Sequence, residues 1–256
     1  MALAIESLLF VRHDHGAPLP EMVFPRRGED ELAGIRAASA GEIWEQLVQG
    51  RITVLGHAED ESHASLFVGP ALRRGQAPER AADAAMLRTL LTGVAQKALA
   101  LDLGIAPSTA SLRAANALRA LGVECLVKAT PLALVVFANA HAIGGGFSPP
   151  GYKVIQSAQD ARLELRVLRP EVVFRERLTA VEYEVLRAVV EGYTHEQLGT
   201  KRDRSQRTIA NQLHSIAIKL GTCHRLECIN LALRLFAAGE RSRSNKLALE
   251  HGVAIP

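Results

Sequence analysis

Residues 178–221 read LTAVEYEVLRAVVEGYTHEQLGTKRDRSQRTIANQLHSIAIKLG, and their punctuation decides the fold of this chain. Thr179-Ala180-Val181-Glu182 is a capping box, in which a threonine hydroxyl serves the third helical N–H while the glutamate reaches back. It opens onto Val185, Leu186, Val189 and Val190, and Gly192 can take the left-handed conformation that stops a helix. Thr194-His195-Glu196-Gln197 is a second box, starting a short helix around Leu198. Ser205 caps a third helix, from Gln206 to Leu220, closed by Gly221. Within it Ile209, Leu213, Ile216 and Leu220 recur at helical spacing on one face, while Arg207, Asn211, His214 and Ser215 lie largely away from that face. The result is two short helices joined by a tight turn, with a polar face left over.

Working outward, the same punctuation occurs a second time. A shift of 99 carries Gly93 onto Gly192, Leu99 onto Leu198, Thr109 onto Thr208, Leu121-Gly122 onto Leu220-Gly221, and Leu132-Ala133-Leu134 onto Leu231-Ala232-Leu233. A shift of 100 carries Val54, Ala58, Asp60 and Pro70 onto Val154, Ala158, Asp160 and Pro170. Ahead of each helical run stands a hairpin pattern: Arg51–His57 with Ser65–Val68, and Tyr152–Ser157 with Leu163–Leu168. Two strands alone are marginal, so the hairpins are expected to pair or stack with each other. The expected fold is mainly α with small β-hairpins, in two tandem units. Residues 1–43 form an N-terminal arm with a strand at Leu8–Val11, 44–143 the first unit, 144–240 the second, and 241–256 a flexible tail. Gly144-Gly145-Gly146 and Pro149-Pro150-Gly151 mark the joint.

Composition agrees with a protein of one or two compact domains. The 256 residues are 48% hydrophobic and 22% charged, which excludes a wholly disordered chain and a disulfide-built miniature. The longest uncharged apolar run, Pro131–Ala138, is too short to span a bilayer, and the first residues lack a basic signal region, so no membrane role is expected. Three cysteines without C-x-x-C spacing suit free thiols in a reducing cytoplasm. The net charge of +3 is too mild to argue for nucleic acid unless the basic residues cluster. Lys201, Arg202, Arg204, Arg207 and Lys219 do so, against only Glu196 and Asp203.

These residues resemble the LuxR-type helix-turn-helix, the four-helix module also found in NarL- and GerE-like regulators. The pattern covers Leu178 to Ala237: Leu178-Thr179, Glu182, Leu186, Gly192, Leu198, Ser205, Thr208-Ile209, Leu213, Ile216 and Lys219-Leu220-Gly221, with Arg225 ahead of a final helix. The resemblance implies a recognition helix, Gln206 to Leu220, in the major groove of double-stranded DNA. Ala210, Asn211 and His214 are then the base readers, and Lys201, Arg204, Ser205, Arg207, Thr208 and Lys219 the phosphate contacts. Two positions depart from the pattern: Arg202 and Arg204 replace aliphatic residues and are expected to turn outward. The first unit is a degenerate copy whose reading positions are Ser111, Leu112 and Ala115. Ser108, Thr109, Ser111, Arg113 and Arg119 are its candidate auxiliary contacts, and Leu112 and Leu118 either stand exposed to a partner or pack on the unit's own hairpin.

The expected function is a cytoplasmic, sequence-specific transcriptional regulator without catalysis, metal or cofactor. It would act as a homodimer, with the first unit for dimerisation, auxiliary DNA contact or a protein partner. A protein-interaction adaptor that keeps the shape and has lost DNA reading is the alternative. An enzyme reading rests on Leu8–His13 and Val135–Gly144, each a strand pattern running toward a histidine and superficially similar to the histidine phosphatase family. Asp14-His15 interrupts its motif. His13-Asp14-His15 and Cys223-His224 with Cys228 lack complete metal-ligand sets.

Overall fold

The computed structural model describes residues 35, 38–71, 77–123, 130–144, 146–156 and 162–250, the side chains of 77–81 and 244–250 excepted. In chain order the elements are α1 (Ala40–Val48), β1 (Ile52–Glu59), β2 (His63–Pro70), α2 (Ala77–Leu91), α3 (Gln96–Asp102), α4 (Pro107–Ala120) and α5 (Leu132–Ile143). They continue with β3 (Lys153–Gln156), β4 (Leu163–Leu168), a 3-10 turn (Pro170–Phe174), α6 (Ala180–Val190), α7 (His195–Arg202), α8 (Gln206–Leu220) and α9 (Arg225–Glu250). The chain is thus mainly helical around one small antiparallel sheet. The strand expected at Leu8–Val11 lies outside the described residues.

The two hairpins join edge to edge into a single sheet of order β1-β2-β4-β3. At the seam Leu66 stands opposite Leu165, its own counterpart at the shift of 99, and the flanking rungs Ala64–Val167 and Val68–Leu163 exchange under the same shift. All six side chains are fully buried. The outer strands do not follow the shift of 100: Val54 faces Val68, whereas Val154 faces Leu165, the counterpart of Leu66. β1 also carries an irregularity between Val54 and Gly56.

Helix ends repeat more faithfully. The amide of Val94 donates to Thr89 and that of Tyr193 to Ala188, at 3.3 and 3.0 Å. Ile105 to Ala100 is matched by Arg204 to Gly199, and Val123 to Leu118 by Thr222 to Ala217, all within 2.9 to 3.0 Å. Each bond closes a helix at a left-handed residue: Gly93 and Gly192, Gly122 and Gly221, and Gly104 with Asp203, the one non-glycine at positive φ among the described residues.

One core runs through both halves. The apolar run from Leu132 to Ala140 is buried on every side as α5, which packs against α1, α2, α9 and the sheet. The second strand weighed for an enzyme, Val135–Gly144, is therefore mostly central helix, and its first strand lies outside the described residues. Three boundaries also move. Ser39 and Glu42 form a full capping box that starts α1, so residues 40–48 are a helix straddling the expected edge of the arm, with Trp44 in the core. The expected joint is packed: Pro149 and Pro150 are buried, Phe147 lies edge-on to Phe236 and Tyr152 edge-on to Phe137. Backbone helix also continues through residues 241–250, placed beforehand in the tail, because α9 does not stop at residue 240.

Candidate nucleic-acid interface

The second helical run is built as its punctuation requires. Thr179 accepts from the Glu182 amide, and Glu182 returns a carboxylate to the Thr179 amide. Thr194 and Gln197 do the same for α7, and the Ser205 hydroxyl accepts from the Thr208 amide at 3.1 Å to start α8. A small core of Ala188, Leu198 and Ile209, with Leu213 against it, sets α7 and α8 on α6. The turn is so tight that a side chain at Gly199 would meet the Arg204 carbonyl at 2.8 Å. Ile216 and Leu220 reach from α8 into the main core.

With that face buried, Arg207, Asn211, His214 and Ile218 line the exposed face of α8 at helical spacing. Ala210 and Thr208 are half-buried at its flanks, while Lys201, Arg204 and Ser205 are exposed around the turn. Ile218, which sequence reasoning missed, is 68% exposed; its spacing from Arg207, Asn211 and His214 was the available signal.

The cations are less free than their number suggests. The Lys219 ammonium donates to both carboxylate oxygens of Glu182 at 2.7 and 2.8 Å. That contact, with the Thr179 amide and hydroxyl, holds the Glu182 carboxyl down at about 2. Lys219 is thus engaged within the fold rather than standing open to a phosphate. Arg202 does turn outward, onto Glu184 of α6 at 2.9 Å. Lys201 lies over the Tyr193 ring, 4.7 Å from its centroid. Like Lys201, the exposed Arg204 and Arg207 pair with no carboxylate among the described residues.

The first unit presents a different surface. Arg113 is held by Asp83 through Nε at 2.7 Å, while exposed Ser111 accepts from Gln96 at 2.6 Å and keeps its own O–H. Ser108, Thr109 and Arg119 are exposed. The two alternatives for Leu112 and Leu118 divide between them: Leu112 is exposed and Leu118 is fully buried, since Ala110, Ala114, Ala117, Leu118 and Leu121 form the stripe that faces the core. Leu103 is 46% exposed, and Leu101 two residues before it is 82% exposed. Pro107 starts α4, and Val54 N–H donates to the Leu121 carbonyl at 2.9 Å and docks its end on β1.

A buried ion cluster fastens the second run to the sheet. Arg169, at the end of β4, donates to Glu171 and Glu191 at 2.6 Å each and to the carbonyls of Asp60 and Arg187. Burial works against its charge, yet Glu171 and Glu191 keep its pKa above the ordinary value. Arg225 bridges the Val190 and Thr130 carbonyls, tying α6 and the approach to α5 to the start of α9.

Cys228 is buried beside the Thr222 hydroxyl and Cys223 is exposed; among the described residues no three His, Cys, Asp or Glu side chains gather as a metal site. His13-Asp14-His15 lies outside the described residues. No helix among them is long and apolar enough to cross a membrane. Comparison with known proteins returns no matching family, no matching curated protein and no matching solved structure.

Proposed function

We propose that this chain is a DNA-binding transcriptional regulator made of two tandem helix-turn-helix units of LuxR-like type, the second reading sequence and the first degenerate. The observation that carries the reading is α8: a capped helix after a tight turn, anchored by Ile209, Ile216 and Leu220, with Arg207, Asn211, His214 and Ile218 in one exposed line. Asn211 offers the donor and acceptor that suit adenine's major-groove edge, His214 can donate or accept, and Ile218 and Ala210 can touch a thymine methyl. Arg207, Ser205, Thr208 and Lys201 supply the phosphate contacts, Arg204 stands at a neighbouring cleft, and Lys219 joins them only by leaving Glu182. The repeated caps and the seam centred on Leu66–Leu165 support the tandem division. A single chain already carries both copies, and a homodimer would carry four.

The test is selection of bound fragments from sheared genomic DNA, then affinity for the best fragment at two salt concentrations. Enrichment of a defined motif is expected. Asn211→Ala with His214→Ala should cost about 1 to 3 kcal/mol of discrimination per lost base contact. Unchanged site preference in that double variant would remove α8 as the reading helix. Exposed Leu101, Leu103 and Leu112 favour a second reading, in which the first unit docks a protein and the chain is an adaptor. Failure to bind any DNA at low salt would select it.

A further inference from the structure

Beside the reading face, α6 and the α7–α8 turn enclose a cleft of about 330 Å³ lined by Val181, Glu184, Arg202, Arg204 and Gln212. That volume lies at the small end of the range for small-molecule sites. Two arginines and one glutamate line it. Arg202 is held by Glu184, while Arg204 donates to the carbonyl of adjacent Asp203 at 3.2 Å and pairs with no carboxylate among the described residues. The Gln212 amide oxygen is sealed from solvent without a hydrogen-bond partner, an arrangement that costs stability unless a ligand or water completes it.

The same chain contains an uncharged version of this turn. At the shift of 99, Arg202 and Arg204 stand where the first unit carries Leu103 and Ile105, so the turn forms without either arginine. Packing alone does not call for the pair. Position 212 lies about 100° round α8 from Asn211 and about 160° from His214, so an occupant of the cleft leaves the exposed line of α8 clear.

We propose that the cleft binds a small oxyanion, the phosphate or carboxylate group of a low-molecular-weight ligand. Arg204 and Arg202 donate to its oxygens, the Gln212 amide oxygen accepts from a hydroxyl or N–H of the same ligand, such as a protonated phosphate oxygen, and Val181 supplies an apolar wall. An occupant touches α6, the turn and α8 together and therefore sets how α8 is held. This inference stands without the DNA reading, because the binding is measured on the protein alone.

The test uses the full chain and inorganic phosphate at constant ionic strength, followed by calorimetry and by the shift of Tm. Saturable binding is expected, with a Tm rise that follows ligand occupancy. Phosphate also stabilises proteins generally by exclusion from their surface, so the reference is R202L/R204I, which copies the first unit. That variant should fold and lose the saturable component, and Q212L should bind at least about threefold more weakly. Absence of saturable binding to the wild type, or equal binding by R202L/R204I, overturns the proposal. Competitive displacement of phosphate by a DNA duplex overturns it too, since the cleft would then belong to the DNA backbone; simultaneous binding supports a separate ligand.

Discussion

Replacing Arg169 with methionine isolates the fastening between the sheet and the second helical run. The guanidinium is 3% exposed and makes two ion pairs of 2.6 Å, one with Glu171, itself 1% exposed, and one with Glu191, which is 23% exposed. Without the cation, Glu191 can turn to water but Glu171 cannot, and its second carboxylate oxygen already lacks a partner. Removing one member of a buried pair costs about 3 to 5 kcal/mol, chiefly through the charge left behind. A chain of this size loses about 2 to 4 °C of Tm per kcal/mol, so Tm should fall by roughly 10 °C, read by circular dichroism at pH 7. Arg169→Met combined with Glu171→Met should recover most of the loss, because a buried ion pair exchanged for packed apolar groups is close to neutral. A single variant within about 1 kcal/mol of wild type, the upper edge of a surface pair's worth, would refute the buried-charge argument.

Three further outcomes follow from named contacts. Glu182 has a folded pKa of about 2, below its ordinary 4.5, so its contribution is present above pH 4.5 and is lost as pH falls toward 2. Glu182→Gln should flatten that acid limb in a pH series of urea melts, and an unchanged limb would contradict the Lys219 clamp. At Gly122, with φ of +87°, a side chain would strike the Val54 carbonyl, whereas Gly221 at +65° has open space around it. Alanine at Gly221 should cost about 1 to 3 kcal/mol of backbone strain, and alanine at Gly122 measurably more; equal losses would count against the docking of α4 on β1. Asp203 sits at φ of +50° where the first unit has Gly104, so Asp203→Gly should raise stability by about 0.5 kcal/mol in chemical denaturation. A loss of stability would mean that its carboxylate has a role the caps do not explain.

How much of this was legible depends on how far apart the partners lie in sequence. The capping boxes at Thr179 and Thr194 and the serine cap at Ser205 act over three residues, and α6, α7 and α8 stand where those signals place them. The Ser39–Glu42 box was equally visible, but α1 has only nine residues and is held by burying Trp44 and Leu47 against distant α5. Leu112 and Leu118 look alike as residue types. Only the stripe through Ala110, Ala114, Ala117 and Leu121 separates them, and that spacing was readable. The engagement of Lys219 was not, since Glu182 lies 37 residues away and its visible signal was a cap. Arg169 gave no warning either: its carboxylates come from the 3-10 turn and the end of α6, brought together by the sheet. Among the candidate contacts, exposure followed from the helical period while ion pairing did not.

The seam between β2 and β4 also bears on how the protein is made. Its two strands are about a hundred residues apart, so a ribosome that has delivered α5 has released β2 with nothing along one edge. That edge includes Leu66, Phe67 and Val68, and a bare apolar strand edge is a template for any other strand nearby. During that interval the first half of one nascent chain can pair with the first half of another, the route to domain-swapped or aggregated species. Arrival of β4 closes the edge, so slow translation between residues 71 and 162 should lower the yield of soluble protein.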